Sequence, residues 1–332
     1  MARISQLTIP TPYPVGDVNL YLVEDEKLTL IDTGAPTDEA LNALENGLRT
    51  LGYEIRDVSE VIVTHFHPDH FGLAGYLARK AKIPVRMHSL DSYFLQEKKE
   101  DVEEVAKNWG LPRPLLDGVI KHKYRIPEKY LFGELNFRPL WHGEIIKTGE
   151  YEFKVFHTPG HSLGHVTLYE LNNKYFFSGD FLIKNIFPNP LIYQVEGQRI
   201  TTLPLFLKSL NNVLELPVEM VFPAHQDKFK DFPEIIERIK LHYLQKTLEI
   251  YDMLRQLKKG TLYEIAQNIY PREVQSQTYL VLSKVLGCLD LLVSTGLIKE
   301  KAGIYEINYA GGAEKNLLNE RYFHLYKKDE EL

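Results

Sequence analysis

The sequence predicts an α/β protein whose sheets are covered by helices, followed by a helical C-terminal module. Strand-length apolar segments alternate with helical ones through the first two thirds of the chain. From about Asp231 the apolar spacing turns helical. The composition, 44% hydrophobic and 25% charged over 332 residues, is that of an ordinary globular protein.

Val18–Val23 and Leu28–Ile31 read as neighbouring strands joined by the polar turn Glu24-Asp25-Glu26-Lys27. Between Ala40 and Leu51, Leu41, Leu44, Leu48 and Leu51 recur at helical spacing, with Gly52 placed to end the helix. Val61-Ile62-Val63 is a short buried strand, a helix follows through Leu73, Tyr76 and Leu77, and Ile83–His88 is the next strand. Residues 89–139 are rich in charge and aromatics (Tyr93, Phe94, Trp109, Tyr124, Tyr130, Phe132) and broken by Pro112, Pro114 and Pro127. This stretch is expected to be a helical insertion, either packed on its own scaffold or lying as a lid over a pocket.

Further strands are expected at Tyr151–Phe156, Tyr175–Phe177 and Met220–Phe222. Beyond Asp231 come a long amphipathic helix from Ile235 to Leu257 and a helix start at Thr261, with Glu264 at capping-box spacing. A helix from Gln275 to Val293 and a hairpin turning at Ala302-Gly303 follow. Helices followed by a two-stranded wing resemble a winged helix. The expected division is a domain over residues 1–230, carrying the insertion at 89–139, and a C-terminal domain over 231–332.

One segment is hard to explain as core packing. After the strand Val61-Ile62-Val63 comes Thr64-His65-Phe66-His67-Pro68-Asp69-His70-Phe71-Gly72, three imidazoles and a carboxylate within six positions. Strand alternation puts His65 and His67 on one side of the chain. Asp69 and His70 open the next helix, where a turn can aim them at the same spot. Neutral imidazole and carboxylate are the donors that borderline transition metals prefer. Further candidates each stand just past a strand: His157-Thr158-Pro159-Gly160-His161-Ser162-Leu163-Gly164-His165, then Ser178-Gly179-Asp180, then Pro223-Ala224-His225. Strand ends fixed by a rigid sheet are where side chains converge on a site.

H-x-H-x-D-H, T-P-G-H, G-D and P-A-H in this order, with the Ile31-Asp32-Thr33-Gly34 turn, resemble the metallo-beta-lactamase superfamily of dinuclear metal hydrolases. The resemblance spans roughly residues 1–230 and implies an αββα sandwich of two mixed sheets flanked by helices. It also implies that His65, His67 and His161 hold one metal, that Asp69, His70 and His225 hold a second, and that Asp180 bridges them. His67 argues against the flavodiiron branch, which usually has Glu there. Two divalent ions, zinc first and iron or manganese as alternatives, would make hydroxide from water at neutral pH. Asp69 would orient it as the catalytic carboxylate.

Other candidates carry smaller roles. Asp32 is a candidate acceptor behind a ligand imidazole, and His88, at the end of a strand, a candidate to approach the metals from behind. Lys184, in the loop after Asp180, is a candidate for an anionic substrate group. His157 and His165 are expected to make structural hydrogen bonds. His122, His142, His242 and His324 carry no spacing argument. Gly164 and Ser162 invite a G-x-S-x-G reading, but T-P-G-H explains the stretch better than a serine nucleophile.

The T-P-G-H-S-x-G-H stretch resembles glyoxalase II and related thioesterases. A beta-lactamase-like subgroup with a C-terminal winged helix includes endoribonucleases. A net charge of −6 disfavours a nucleic-acid partner. Over residues 241–310 eight Lys and Arg face seven Asp and Glu, a net of +1, and the would-be recognition helix offers little but Gln275, Gln277 and Lys284.

The expectation is hydroxide attack on a small ester or thioester. A phosphodiesterase or endoribonuclease is the alternative, and a non-catalytic metal-responsive binding protein ranks third. The C-terminal module then serves packing, homodimerisation or gating. Cys288, alone and in an apolar stretch, excludes a disulfide framework and reads as a core thiol. No secretory leader or membrane span is visible, so the cytoplasm is the expected compartment.

Overall fold

The computed structural model describes residues 2–96, 106, 108–121, 137–195 and 198–309. Two compact units divide the chain. Among the described residues, 2–96, 137–188 and 216–232 form the first, and 106, 108–121, 189–195, 198–215 and 233–309 the second. Tyr124, Tyr130 and Phe132, with residues 97–105, 107 and 122–136 of the expected insertion, lie outside the described residues.

The first unit opens with β1 (Arg3–Ile9), β2 (Val18–Glu24) and β3 (Thr29–Ile31), each antiparallel to the one before. Helix α1 (Asp38–Thr50) begins where the Thr37 hydroxyl accepts from Ala40 N at 3.1 Å, with Asp38 and Glu39 in its first turn. β4 (Glu60–Ile62), the short helix α2 (Pro68–Phe71), α3 (Ala74–Ala81), β5 (Val85–His88) and α4 (Ser89–Gln96) follow. The next described elements are α5 (Arg113–Lys121), in the second unit, and β6 (Phe137–Leu140). Strands β3 to β6 pair parallel in sequence order, completing a mixed six-stranded sheet.

β7 (Ile145–Lys147), β8 (Glu152–His157), β9 (Val166–Glu170), β10 (Tyr175–Gly179) and β13 (Met220–Pro223) make a second mixed sheet, in the order β13-β10-β9-β8-β7. Only its β10–β13 pair is parallel. Strand alternation sorts the buried side chains into two cores. Leu20 and Leu22 of β2, Leu30 of β3 and Val61 of β4 pack with Leu44 and Leu48 of α1 and Leu77 of α3. Tyr21, Val23, Ile31 and Ile62 point the other way and pack with Phe153, Val155, Val166, Leu168, Phe177 and Phe222 of the second sheet. Strands buried on both faces explain why β2 reads as an unbroken apolar run. The two-sheet mixed α/β fold expected from the sequence is the one formed.

The second unit contains the hairpin β11 (Tyr193–Val195) and β12 (Gln198–Ile200), then α6 (Thr202–Val213). The long α7 (Phe232–Leu257) is followed by β14 (Lys259–Thr261), α8 (Leu262–Ile269), α9 (Glu273–Ser276) and α10 (Thr278–Ser294), and by the hairpin β15 (Ile298–Lys301) and β16 (Ile304–Ile307). β14, β16 and β15 form a small antiparallel sheet. The Thr261–Glu264 capping box forms as its spacing predicts, and the hairpin turns at Ala302-Gly303. The single helix expected over Gln275–Val293 is instead two, because the chain leaves helical geometry at Gln277 (φ −131°, ψ 42°). Cys288 is buried and its thiol is pushed up to about 12 by that burial, as suits an inert core residue.

Arg199 makes a two-pronged ion pair with Asp290, at 2.6 and 2.7 Å, tying β12 to α10. The Asp290 side chain is only 6% exposed, whereas that of Arg199 keeps 30%. Arg199→Ala strands a buried carboxylate, and the expected cost is at the lower end of the range for broken buried pairs, about 3 kcal/mol. The urea midpoint at unchanged slope measures it. A loss below about 0.5 kcal/mol, the scale of a surface pair, would show the bridge to be ornamental.

Candidate metal centre

The sequence brings the site together by ending strands. Parallel pairing of β3, β4 and β5 lines up the chain beyond each of them. Asp32 follows β3 in the left-handed region (φ 61°), a conformation Asp tolerates better than most side chains. That turn puts its carboxylate within reach of the next loop, where it accepts from Thr64 N at 2.8 Å and from Thr64 Oγ1 at 2.9 Å. His65, His67, Asp69 and His70 follow on the H-x-H loop and α2 and are all buried. His161 comes from the loop between β8 and β9, Asp180 follows β10, and His225 follows β13.

Gly179 is in the left-handed region (φ 51°), and a Cβ there would lie 2.9 Å from both His165 Nε2 and Thr64 Oγ1. Only glycine lets β10 turn so close behind the histidines.

All seven residues named from the sequence motifs converge. His67 Nδ1 lies 2.9 Å from His65 Nε2 and 3.0 Å from His161 Nε2. Asp69 Oδ2 lies 3.5 Å from His225 Nε2, and Asp69 Oδ1 is 3.7 Å from His70 Nε2. Asp180 stands between the groups. Its Oδ1 is 3.4 Å from both His70 Nε2 and His225 Nε2, and its Oδ2 is 3.4 Å from His161 Nε2. The ligand atoms of His65, His67 and His161 lie within 4.8 Å of one another, and so do those of Asp69, His70 and His225.

The surrounding chain sets the tautomers. His70 Nδ1 lies 2.9 Å from Asp32 Oδ2, and His225 Nδ1 lies 2.7 Å from Asp17 O. Carboxylate and carbonyl oxygens only accept, so both Nδ1 atoms carry a proton, and it is Nε2 that offers a lone pair once each imidazole is neutral. The single Thr64 hydroxyl proton goes to Asp32, so at 3.1 Å His65 Nδ1 donates to that hydroxyl oxygen and leaves His65 Nε2 free.

Electrostatics separates the two groups. Burial, with the neighbouring imidazoles, pushes His65 and His67 well below the usual histidine range, so they are neutral. Burial would lower His70 too, but Asp180, Asp69 and Asp32 outweigh it and hold it well above that range. His225 is raised against its burial chiefly by Asp180. Burial would raise Asp180, yet His70 and His225 hold it well below the usual carboxylate range.

His70 Nε2, His225 Nε2 and Asp180 Oδ1 are all buried without a hydrogen-bond partner, although they face one another at 3.4 Å. Once an ion displaces the protons that Asp180 holds on these rings, two lone pairs and a carboxylate oxygen meet here, a donor set that suits a divalent cation. The donor set thus suits divalent metal at both groups.

The remaining sequence candidates fall elsewhere. Asp32 stands behind His70 as described. His88 stacks on His157 at 4.0 Å and accepts from Leu90 N, with burial lowering it to about 4. His157 Nε2 donates to Leu163 O at 2.8 Å, and His165 pairs with Thr158 Oγ1 at 3.0 Å. Lys184, 43% exposed, pairs with Asp231 at 3.3 Å. Ser162 is fully buried and donates to Asp91 at 2.7 Å, so it is no nucleophile. Asp91 itself was missed. Its only signal is an acid in the first turn of a helix that starts where β5 ends, the same kind of position that the ligands occupy.

Comparison with known proteins agrees with this geometry. The family model of the metallo-beta-lactamase superfamily matches residues 13–225. A probable metallo-hydrolase of Bacillus subtilis is 26% identical over 293 residues, 86% of this chain and 91% of that protein. A hydroxyacylglutathione hydrolase of Haemophilus influenzae is 27% identical over 162 residues, 48% of this chain and 64% of that protein. The crystal structure of a metallo-beta-lactamase family protein from Thermus thermophilus superposes with a TM-score of 0.78 at 25% identity, covering 92% of this chain and 98% of that one.

Proposed function

The chain belongs to the metallo-beta-lactamase superfamily of metal-dependent hydrolases, and from that premise we propose a dinuclear hydrolase of small acyl thioesters or esters. In this reading His65, His67 and His161 hold one divalent ion, Asp69, His70 and His225 the other, and Asp180 touches both. Zinc is the metal we assign, because nitrogen donors dominate a compact site. When bound, such a pair acidifies water and polarises the carbonyl under attack.

The chain's own residues supply the rest. Thr64, Asp32 and the Asp17 carbonyl hold three imidazoles in the lone-pair-inward tautomer. Asp69, with one oxygen facing each of His70 and His225, is placed to orient the attacking water and take its proton. The observation that carries the reading is the meeting of His70 Nε2, His225 Nε2 and Asp180 Oδ1, buried and without hydrogen bonds.

The choice of thioester rests on the T-P-G-H-S-x-G-H stretch and on the similarity to a hydroxyacylglutathione hydrolase. We read the C-terminal helices and hairpin as a winged-helix-like module used for packing, pairing of two copies or gating. Helix α10 is buried at nearly every position from Val281 to Leu292, which leaves no cationic face for a DNA groove.

Zinc-loaded protein is expected to turn over acyl thioesters within a panel that also contains carboxylic esters, lactones and bis-aryl phosphodiesters. His67→Ala should lower that turnover by at least 100-fold at unchanged fold. Turnover of phosphodiester alone, or of nothing in the panel, would overturn the assignment.

A further inference from the structure

The three-histidine group is assembled from two separate loops, and a single fully buried carboxylate lies between them. Asp91 is 0% exposed. Its Oδ2 accepts from Phe66 N at 3.0 Å and from Ser162 Oγ at 2.7 Å, and its Oδ1 accepts from Gly164 N at 2.5 Å. Phe66 separates His65 from His67, and Ser162 follows His161 directly. The fold brings the acid there because β5 runs parallel to β4, so the chain beyond β5 emerges beside the H-x-H loop. α4 starts at once, with Asp91 in its first turn. The fit is close on the other side too, since a Cβ on Gly164 would lie 2.6 Å from Asp91 Oδ1.

We infer that Asp91 is the positioning residue of the first metal group, its one carboxylate clamping both ligand loops so that His65, His67 and His161 aim at a common point. The inference rests on the reading that these three residues hold a metal. Asp91 touches none of the ligand side chains by hydrogen bond, and it acts through the backbone and hydroxyl that carry them. Three donors converge on it, and an amide cannot replace it. Asp91→Asn retains one acceptor oxygen and turns an NH₂ toward at least one of those donors. Unlike a generic buried acid, the clamp serves one metal group and not the other, which makes its effect selective.

The test is cobalt(II) titration of metal-free full-length protein, read by visible absorption and by competition with a chelator. His161→Ala and His225→Ala assign the two binding steps, since each removes one group. Asp91→Asn is expected to weaken the step that His161→Ala abolishes by about 10–100-fold and to leave the other step unchanged. Ser162→Ala should weaken the same step less, having lost one donor of three. Asp91→Glu should not rescue it, because the longer side chain has no room against Gly164.

Equal weakening of both steps, or unchanged affinity at the first, overturns the inference while leaving the metal reading intact. Wild-type protein that binds no cobalt overturns both. If Asp91→Asn fails to fold, Ser162→Ala decides the matter. It keeps the carboxylate and removes one of its three donors, so selective weakening of the same step supports the clamp and unchanged binding rejects it.

Discussion

Asp180→Ala is expected to lower kcat/KM by roughly three orders of magnitude, the scale of losing a preorganised charge together with the activation of water. Among the described residues Asp180 is the acid in contact with both ligand groups, through Oδ1 to His70 and His225 and through Oδ2 to His161, each at 3.4 Å. In the proposed dinuclear site, removing it would leave one carboxylate, Asp69, and five neutral imidazoles to face two dications. Metal content therefore has to be measured beside rate, and the expected loss is of at least one ion per chain. Asp180→Asn separates shape from charge. It keeps the side-chain volume and one acceptor oxygen, so an equally large loss in that variant assigns the effect to charge. A rate within tenfold of wild type in Asp180→Ala would show that the two groups do not work as one site.

The consequence for the metal-free protein points the same way. Asp180 is the largest of the carboxylate influences holding His70 and His225 above the ordinary histidine range. With Asp180 gone, both imidazoles should titrate lower, which proton NMR of the metal-free variant can follow.

The candidate ligands were legible because each was marked twice, by its type and by its place just after an apolar strand. His65, His67, Asp69 and His70 could be found from local spacing alone. His161, Asp180 and His225 needed the strand ends as well. The two-sheet core was legible for a related reason, since β2 carries leucines at one phase and Tyr21 and Val23 at the other, each phase facing its own core. Residues acting through hydrogen bonds left no such mark. Thr64 and the Asp17 carbonyl orient imidazoles, but a threonine beside a histidine and a backbone oxygen have no distinguishing pattern. Asp91 works only because β4 and β5 pair in parallel, a tertiary fact that no spacing along the chain encodes. The break at Gln277 was invisible because apolar residues keep helical spacing across it, at Val274, Val281, Val285 and Cys288.

The two metal groups are expected to differ in how they respond to acid, with the ion at Asp69, His70 and His225 leaving first as the pH falls from 8 toward about 5.5. A ligand imidazole must be neutral to bind. His65 and His67 lie well below the histidine range and need give up no proton near neutrality. His70 and His225 are held above it and carry protons in the metal-free protein that an ion must displace. Affinity at their group should therefore fall by up to about tenfold per pH unit for each proton displaced, a loss to which His65 and His67 add nothing at the three-histidine group. Calorimetric titration in buffers of different ionisation enthalpy reads the released protons directly.

The melting temperature of the metal-free protein is a poor substitute, because its contributions oppose one another. The raised His70 and His225 add stability that is present below pH 6.5 and lost as pH rises through their folded values. Burial lowers His65, His67 and His165, and the stability they contribute is present above 6.5 and lost as pH falls through theirs. Site-resolved metal release avoids that cancellation. Loss of both ions together, or of the three-histidine ion first, would show that Asp180 does not divide the site electrostatically in the way its contacts imply.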